Sequence, residues 1–231
     1  MRAPIIAAIV PVRKNSERLK NKNFINFYKG KSLLEIKLQQ LKKIKYIDKI
    51  VVSSDSKVAA KIAKKNGVFF HKRENFFASS ECSGSDFFQN LAQSIECDYL
   101  GYFPCTSPII KKETYQNFLK EFLKNRKSYD SFNSAVILKK FLWKGKKTIN
   151  YKTTNAPNSQ NLPDNFYTIT FGLNIISRKK MIKQKNIVGK KPKFFLISKI
   201  ESSDIDDGVD FDMIKSIYPK FLTSEKNFLT Q

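Results

Sequence analysis

The sequence predicts an α/β fold, a mostly parallel central sheet flanked by helices. Short apolar or β-branched runs alternate with stretches of helical periodicity from residue 4 to about residue 138, and that alternation builds right-handed βαβ units. Segments rich in cationic, hydroxyl and carboxylate side chains follow the runs rather than precede them. Open α/β sheets keep their ligands there, beyond the carboxyl ends of the strands. With 231 residues the chain can bury a full core without disulfides or a structural metal, and it reads as a single domain over 1–231.

Residues 4–12 form the first strand, an apolar run broken at Pro11. Residues 13–23 are a polar loop, and 24–27 a short connecting segment before the Lys29-Gly30-Lys31 turn. Ser32 and Glu35 make a capping box, and Leu33, Leu34, Leu38, Leu41 and Ile44 then recur at helical spacing, which predicts a helix over about 33–45. A strand over 49–53, a helix over 58–65 closed by Gly67, and a strand over 68–71 follow. Further on come a helix over 83–95, a strand over 99–103, a helix over 113–124 and a strand over 131–138. Regular alternation stops between about 139 and 165. A loop that long is functional or lies between subunits, and Phe141, Leu142 and Trp143 within it call for burial. Residues 166–176 and 194–197 return as strands, 209–217 as a helix, and the chain after about 222 reads as a frayed tail.

Three cysteines, Cys82, Cys97 and Cys105, lack metal-ligand spacing and leave an odd thiol over, so they read as free thiols of a reducing compartment. The apolar start is too short to span a membrane and precedes no small-residue cleavage site, so a soluble, cytoplasmic protein is expected, without a membrane partner. The net charge of +23 suits a polyanionic partner, but it reads first as a lysine coat of solvated faces with no partner at all. The lysines are scattered and no nucleic-acid-binding signature accompanies them, which argues against nucleic acid as the ligand.

Four groups of residues carry chemistry. The loop 13–23 offers Arg13, Ser16, Arg18, Lys22 and Asn23, the mixture of guanidinium forks, point charge and short polar groups that phosphate oxygens require. Taken alone, it would serve equally as a solvated basic turn. Asp204 and Asp206 share one face of an extended segment, as side chains at i and i+2 do, and suit a hard divalent ion such as Mg2+; the same stretch also reads as a helix start capped by Asp207 or a neighbour. Thr106 and Ser107 sit between prolines at a strand end, and Arg73, Ser83 and Asp86 near another. His71, the only histidine, lies in an apolar strand and reads as structural. No nucleophile with a base beside it supports covalent catalysis.

These residues resemble a known family, the acylneuraminate cytidylyltransferases of the nucleotide-diphospho-sugar transferase (Rossmann-like) fold. Its opening A-R-G-G-S-K-G-x-x-x-K-N is similar to the stretch from Val12 to Asn23, which keeps Arg13, Ser16, Lys22 and Asn23. Its Q-P-T-S-P resembles residues 104–108, its S-Q-D-L-P residues 159–163, and its D-I-D-x-x-x-D-F residues 204–211. The motifs occur in the family's order over roughly residues 5–218.

The resemblance implies transfer of CMP from CTP to an acidic 2-keto-3-deoxy sugar, sialic acid or a related nonulosonic acid, with release of pyrophosphate. Arg13, Lys22 and Asp206 would be catalytic, with Arg13, Ser16, Arg18, Lys22, Asn23, Arg73 and Ser83 holding CTP. Thr106, Ser107 and Gln160 would face the acceptor, and Asp204 and Asp206 would hold Mg2+. Residues 139–165 would be an extended arm for homodimerisation and the acceptor pocket. The chain departs from the pattern at Lys14, Asn15 and Glu17 in the loop, and at Pro104, Ile110, Asn158 and Ser159 on the acceptor side. A KDO-like sugar, a phosphate or phosphonate acceptor, and a catalytically silent nucleotide or polyanion binder are the alternatives.

Overall fold

The computed structural model describes residues 3–16 and 18–227; Glu17 and the final positions 228–231 of the expected tail lie outside the described residues. In chain order the elements are β1 (Ile6–Pro11), β2 (Asn26–Tyr28), β3 (Lys31–Ser32), α1 (Leu33–Leu41), β4 (Lys49–Ser54), α2 (Lys57–Lys65) and β5 (Phe69–Lys72). Then follow α3 (Asn75–Ala78), α4 (Gly84–Ser94), β6 (Tyr99–Tyr102), α5 (Lys112–Asn125) and β7 (Ser131–Ile137). The remainder is β8 (Trp143–Lys144), β9 (Lys147–Thr148), a 3-10 turn (Ser159–Asn161), β10 (Tyr167–Ser177), α6 (Arg178–Gln184), β11 (Pro192–Leu196) and α7 (Gly208–Asn227).

Among the described residues the main sheet has seven strands in the order β11-β7-β10-β6-β1-β4-β5. β1 pairs in parallel with β4 and β6, β4 with β5, and β7 with β11, whereas β10 runs against both β6 and β7. Six strands therefore share one direction, and their carboxyl ends open at the same edge. Alternation along β1 explains why that strand is apolar throughout. Ile6, Ala8 and Val10 enter a core with Leu33, Leu34, Leu38, Phe118 and Phe211 on one face, while Ala7 and Ile9 meet Leu91, Ala92 and Met181 on the other.

Local signals hold in several places. Ser32 and Glu35 form both bonds of the capping box that starts α1. Gly67 closes α2 at φ +61°, a conformation that costs glycine little. Four expectations need correction. α1 ends at Leu41 rather than near 45. The supposed connecting segment at 24–27 leads into a β2–β3 hairpin. The supposed tail after 222 continues α7 to Asn227 despite Pro219, because Tyr218 and Phe221 are buried and Tyr218 packs edge-on against Phe27, ring centroids 5.2 Å apart. Finally, Phe141 and Trp143 are not buried: each stacks on Tyr151 yet remains 43% and 51% exposed, at the base of a small β8–β9 hairpin. Among the described residues no helix is long and apolar enough to cross a membrane.

Candidate active site

β1 delivers the polar loop to the open edge of the sheet, and β4 anchors it. The Val12 amide donates to the Ser53 carbonyl (3.0 Å) and the Lys14 amide to Asp55 Oδ1 (2.8 Å). Asn21 takes a left-handed φ of +57°, which asparagine tolerates, and the turn closes through Lys22 N–H to Leu19 O (3.1 Å) and Phe24 N–H to Asn21 O (2.8 Å). That reversal brings Lys22 back over the sheet edge. Its Nζ donates to the carbonyls of Ile205 (2.5 Å) and Asp206 (3.1 Å), while Arg18 Nη2 reaches Asp206 Oδ1 at 2.7 Å. Asn23 is buried, with its Oδ1 accepting from the Cys105 thiol at 3.2 Å.

The side beneath β4 and β5 is more enclosed. Arg73, one residue beyond β5, is only 3% exposed. Its Nη2 and Nε donate to the Ser53 carbonyl (2.6 Å) and hydroxyl (3.3 Å), and its guanidinium lies 4.7 Å from the centre of the Phe87 ring. Burial pulls Arg73 down to about 10, with Tyr102 and Asp55 opposing and Arg13 adding to the fall. Burial pushes the Tyr102 hydroxyl up to about 12. His71 is structural in its contacts: Nδ1 meets Ser53 Oγ at 2.9 Å, and burial followed by the Arg73 charge holds its pKa below the ordinary value.

The opposite wall is the loop after β6 together with the approach to α7. Thr106 O accepts from the Ile205 amide (2.9 Å), and Ser107 Oγ donates to Asp204 Oδ1 (3.1 Å). Asp207 caps α7, its Oδ1 accepting from the amides of Val209 (2.9 Å) and Asp210 (3.0 Å). The stretch thus starts α7 with a cap at Asp207, and Asp204 and Asp206 line the cleft.

Together these walls enclose a cleft of about 420 Å³ lined by Arg13, Ser16, Arg18, Lys22, Asn23, Arg73, Thr106, Asp204 and Asp206. Ser107 stands one hydrogen bond behind it. Two expected residues are placed elsewhere. The Ser83 hydroxyl is taken up as the cap of α4, accepting from the Asp86 amide (3.1 Å) and donating to Asp86 Oδ2 (2.8 Å). Gln160 lies exposed in the 3-10 turn, with its carbonyl accepting from Lys139 Nζ at 3.0 Å. The cleft also gathers Phe77, Phe87 and Tyr102, which sequence reasoning did not single out because an aromatic near a strand end usually belongs to the core. Lys37 was missed too. It is fully buried on the apolar face of α1, and its only signal was a lone cation at i+3 from Leu34.

Among the described residues four cationic groups face two carboxylates across the cleft, an excess that favours a polyanion. The donor set also fits a hard divalent ion, which takes two protein carboxylates and completes its shell with waters and phosphate oxygens. Among the described residues no cluster of three or more His, Cys, Asp or Glu side chains offers a complete protein cage.

A mostly parallel sheet whose carboxyl edge carries a cationic loop and a pair of aspartates is the architecture of a nucleotide-handling transferase. The chain belongs to the cytidylyltransferase family, whose model matches residues 7–159. It is 25% identical over 240 residues to the post-translational flagellin modification protein B of Campylobacter coli, covering 96% of each chain. It is also 25% identical over 243 residues to the N-acylneuraminate cytidylyltransferase of Escherichia coli O18:K1:H7 (strain RS218 / NMEC), covering 95% of this chain and 53% of that protein. The chain thus spans about half the length of the latter. Among solved structures it is similar to a CMP:2-keto-3-deoxy-manno-octonic acid synthetase complexed with CTP, with a TM-score of 0.65 at 10% identity, covering 94% of this chain and 99% of that one. That likeness concerns the fold.

Proposed function

We propose that this cytidylyltransferase transfers CMP from CTP to an acidic 2-keto-3-deoxy sugar, sialic acid or a related nonulosonic acid, releasing pyrophosphate for the synthesis of a surface glycan. The observation that carries the proposal is the convergence of the 13–23 loop and the Asp204–Asp206 wall on one cleft. The acceptor class draws its support from the two relatives named for N-acylneuraminate and for flagellin modification.

The reaction asks for positioning and charge neutralisation rather than covalent chemistry. Arg13, Ser16 and Lys22 hold the triphosphate, and Arg18 exchanges its bond to Asp206 for a phosphate oxygen as CTP enters. Asn23 and Arg73 fix the cytidine side, with Phe87 closing the pocket behind the guanidinium. Ser83 contributes as the cap of α4 rather than by direct contact. The acceptor hydroxyl attacks the α-phosphorus in line from the side of Thr106 and Ser107, and Lys22 and Arg13 neutralise charge on the phosphoryl group and on departing pyrophosphate. Asp204 and Asp206 would hold Mg2+, which when bound would supply further charge neutralisation and Lewis acidity to the transfer.

The arm at 139–165 is the proposed homodimer contact. Phe141, Trp143 and Ile149 are each about half exposed on it, and apolar exposure of that kind marks an interface. In such a dimer the arm would bring Gln160 to the partner's acceptor site. The test is pyrophosphate release with CTP and Mg2+ against a panel of 2-keto-3-deoxy acids that includes KDO, with ATP, GTP and UTP in parallel. Release is expected only with CTP and with at least one nonulosonic acid. No release with any acid would turn the reading to a silent nucleotide binder, and release with KDO alone would move the acceptor.

A further inference from the structure

We infer that Lys37 is a positioning residue of the transfer site, acting through Ser107 on Asp204. The inference rests on the reading of Asp204 as part of the metal-bearing wall and names what holds that wall in place.

Lys37 has no exposed surface. Its Nζ donates to the Ser107 carbonyl at 2.7 Å and to the Tyr115 hydroxyl at 2.5 Å, and it lies 5.3 Å from the centre of the Tyr115 ring. The contacts are thus a carbonyl and a phenol rather than a carboxylate. A buried ammonium so placed is costly, and an apolar side chain of the same shape would serve the core better. A lysine whose cost exceeds its packing value is explained by what it orients.

That object is Ser107. Gln40, three residues along the same helix, donates from Nε2 to the Pro108 carbonyl at 2.6 Å, so α1 grips two successive carbonyls of the loop after β6. On the other side Ser107 meets Gly172 of β10, where an added Cβ would stand 3.4 Å from Ser107 Oγ and 2.9 Å from Ile110 Cδ1. Held below by Lys37 and crowded beside by Gly172, Ser107 directs its hydroxyl to Asp204 Oδ1 at 3.1 Å. The Ile205 amide, bonded to Thr106 O at 2.9 Å, ties the next residue of the acidic segment to the same loop. The sequence of contacts runs from the buried Lys37 through Ser107 to Asp204, one of the two carboxylates on the cleft.

The test uses Mn2+ as a spectroscopic probe, titrated by electron paramagnetic resonance into the full chain saturated with CTP. The proteins compared are wild type, Lys37→Met, Ser107→Ala, the double variant and Tyr115→Phe. Outer-shell partners of metal ligands typically govern affinity by about ten- to a hundredfold. Ser107→Ala and Lys37→Met are each expected to weaken Mn2+ binding on the order of tenfold, the double variant no more than the stronger single one, and Tyr115→Phe hardly at all. Unchanged Mn2+ affinity in Ser107→Ala overturns the inference whether or not Lys37→Met folds. So does wild-type affinity in a folded Lys37→Met, or multiplication of the two losses in the double variant. Failure of the wild-type CTP complex to bind Mn2+ would instead strike the metal reading of Asp204 itself, and the inference would fall with it.

Discussion

The two sides of the cleft are built differently. On the side assigned to cytidine, Arg73 and Asn23 are 3% and 7% exposed and already committed to the Ser53 carbonyl and the Cys105 thiol. On the side assigned to the acceptor, Thr106 is partly open, and Gln160 stands exposed on an arm whose aromatic residues are themselves half exposed. The first side is set by the packing of the sheet, and the second is open to solvent. A nucleotide that never changes can be met by rigid groups, whereas an acceptor can be changed by altering a loop without disturbing the core.

Breaking the shared centre should have the largest effect. Lys22→Ala or Asp206→Ala is expected to leave the circular dichroism spectrum unchanged and to lower the rate of pyrophosphate release by about a hundred- to a thousandfold, the scale of losing one group that stabilises developing charge. Next comes the rigid side. Arg73→Met should raise the KM for CTP about tenfold with a smaller change in kcat, as loss of hydrogen bonds from a charged donor predicts; an equal fall in kcat at unchanged KM would place Arg73 outside the cytidine pocket.

The buried lysine under the acceptor wall gives a stability signature instead. Burial brings Lys37 from the ordinary 10.5 down to about 7. Between those values the unfolded chain keeps a proton that the folded chain has released, so stability rises with pH across that window, and the penalty is present in full below it. Lys37→Met removes this slope. Urea unfolding should find the variant more stable than wild type near neutral pH, with the gap closing toward 10.5. A variant that gains stability while losing its metal affinity would show the two roles pulling apart. The smallest effect belongs to the open side: Gln160→Ala should leave the KM for CTP unchanged and raise that for the acceptor only about two- to fivefold, the loss of one exposed hydrogen bond.

Much of the frame was legible because it depends on neighbours in sequence. The capping box at Ser32 and Glu35, the left-handed glycine at 67 and the two-faced apolar run of β1 each state their conformation within a few residues. The polar loop after β1, Arg73, the loop after β6 and the acidic stretch before α7 were legible for the same reason, and the fold brings them to one cleft. Ser83 shows the limit of such reading, since a serine three residues before an aspartate serves a helix cap as readily as a ligand, and here it caps α4. Lys37 was overlooked because a single lysine among the leucines of an apolar stripe is a weak signal, and its burial is decided by the distant loop above it. The length of α7 was hidden by Pro219, which suggests an end, while the burial of Tyr218 and Phe221 against residues of the β2 region carries the helix past it.

The bond from Lys22 to the Ile205 carbonyl joins residues 183 positions apart. Contacts of such separation close late, because the entropy of a long loop must be overcome before they form. The cationic loop and the carboxylates that face it therefore meet only where α7 is seated against Phe27, with Asp204 and Asp206 just before it in the chain. Opposite charges facing one another across this cleft are therefore also a sign that the two ends of the chain have met.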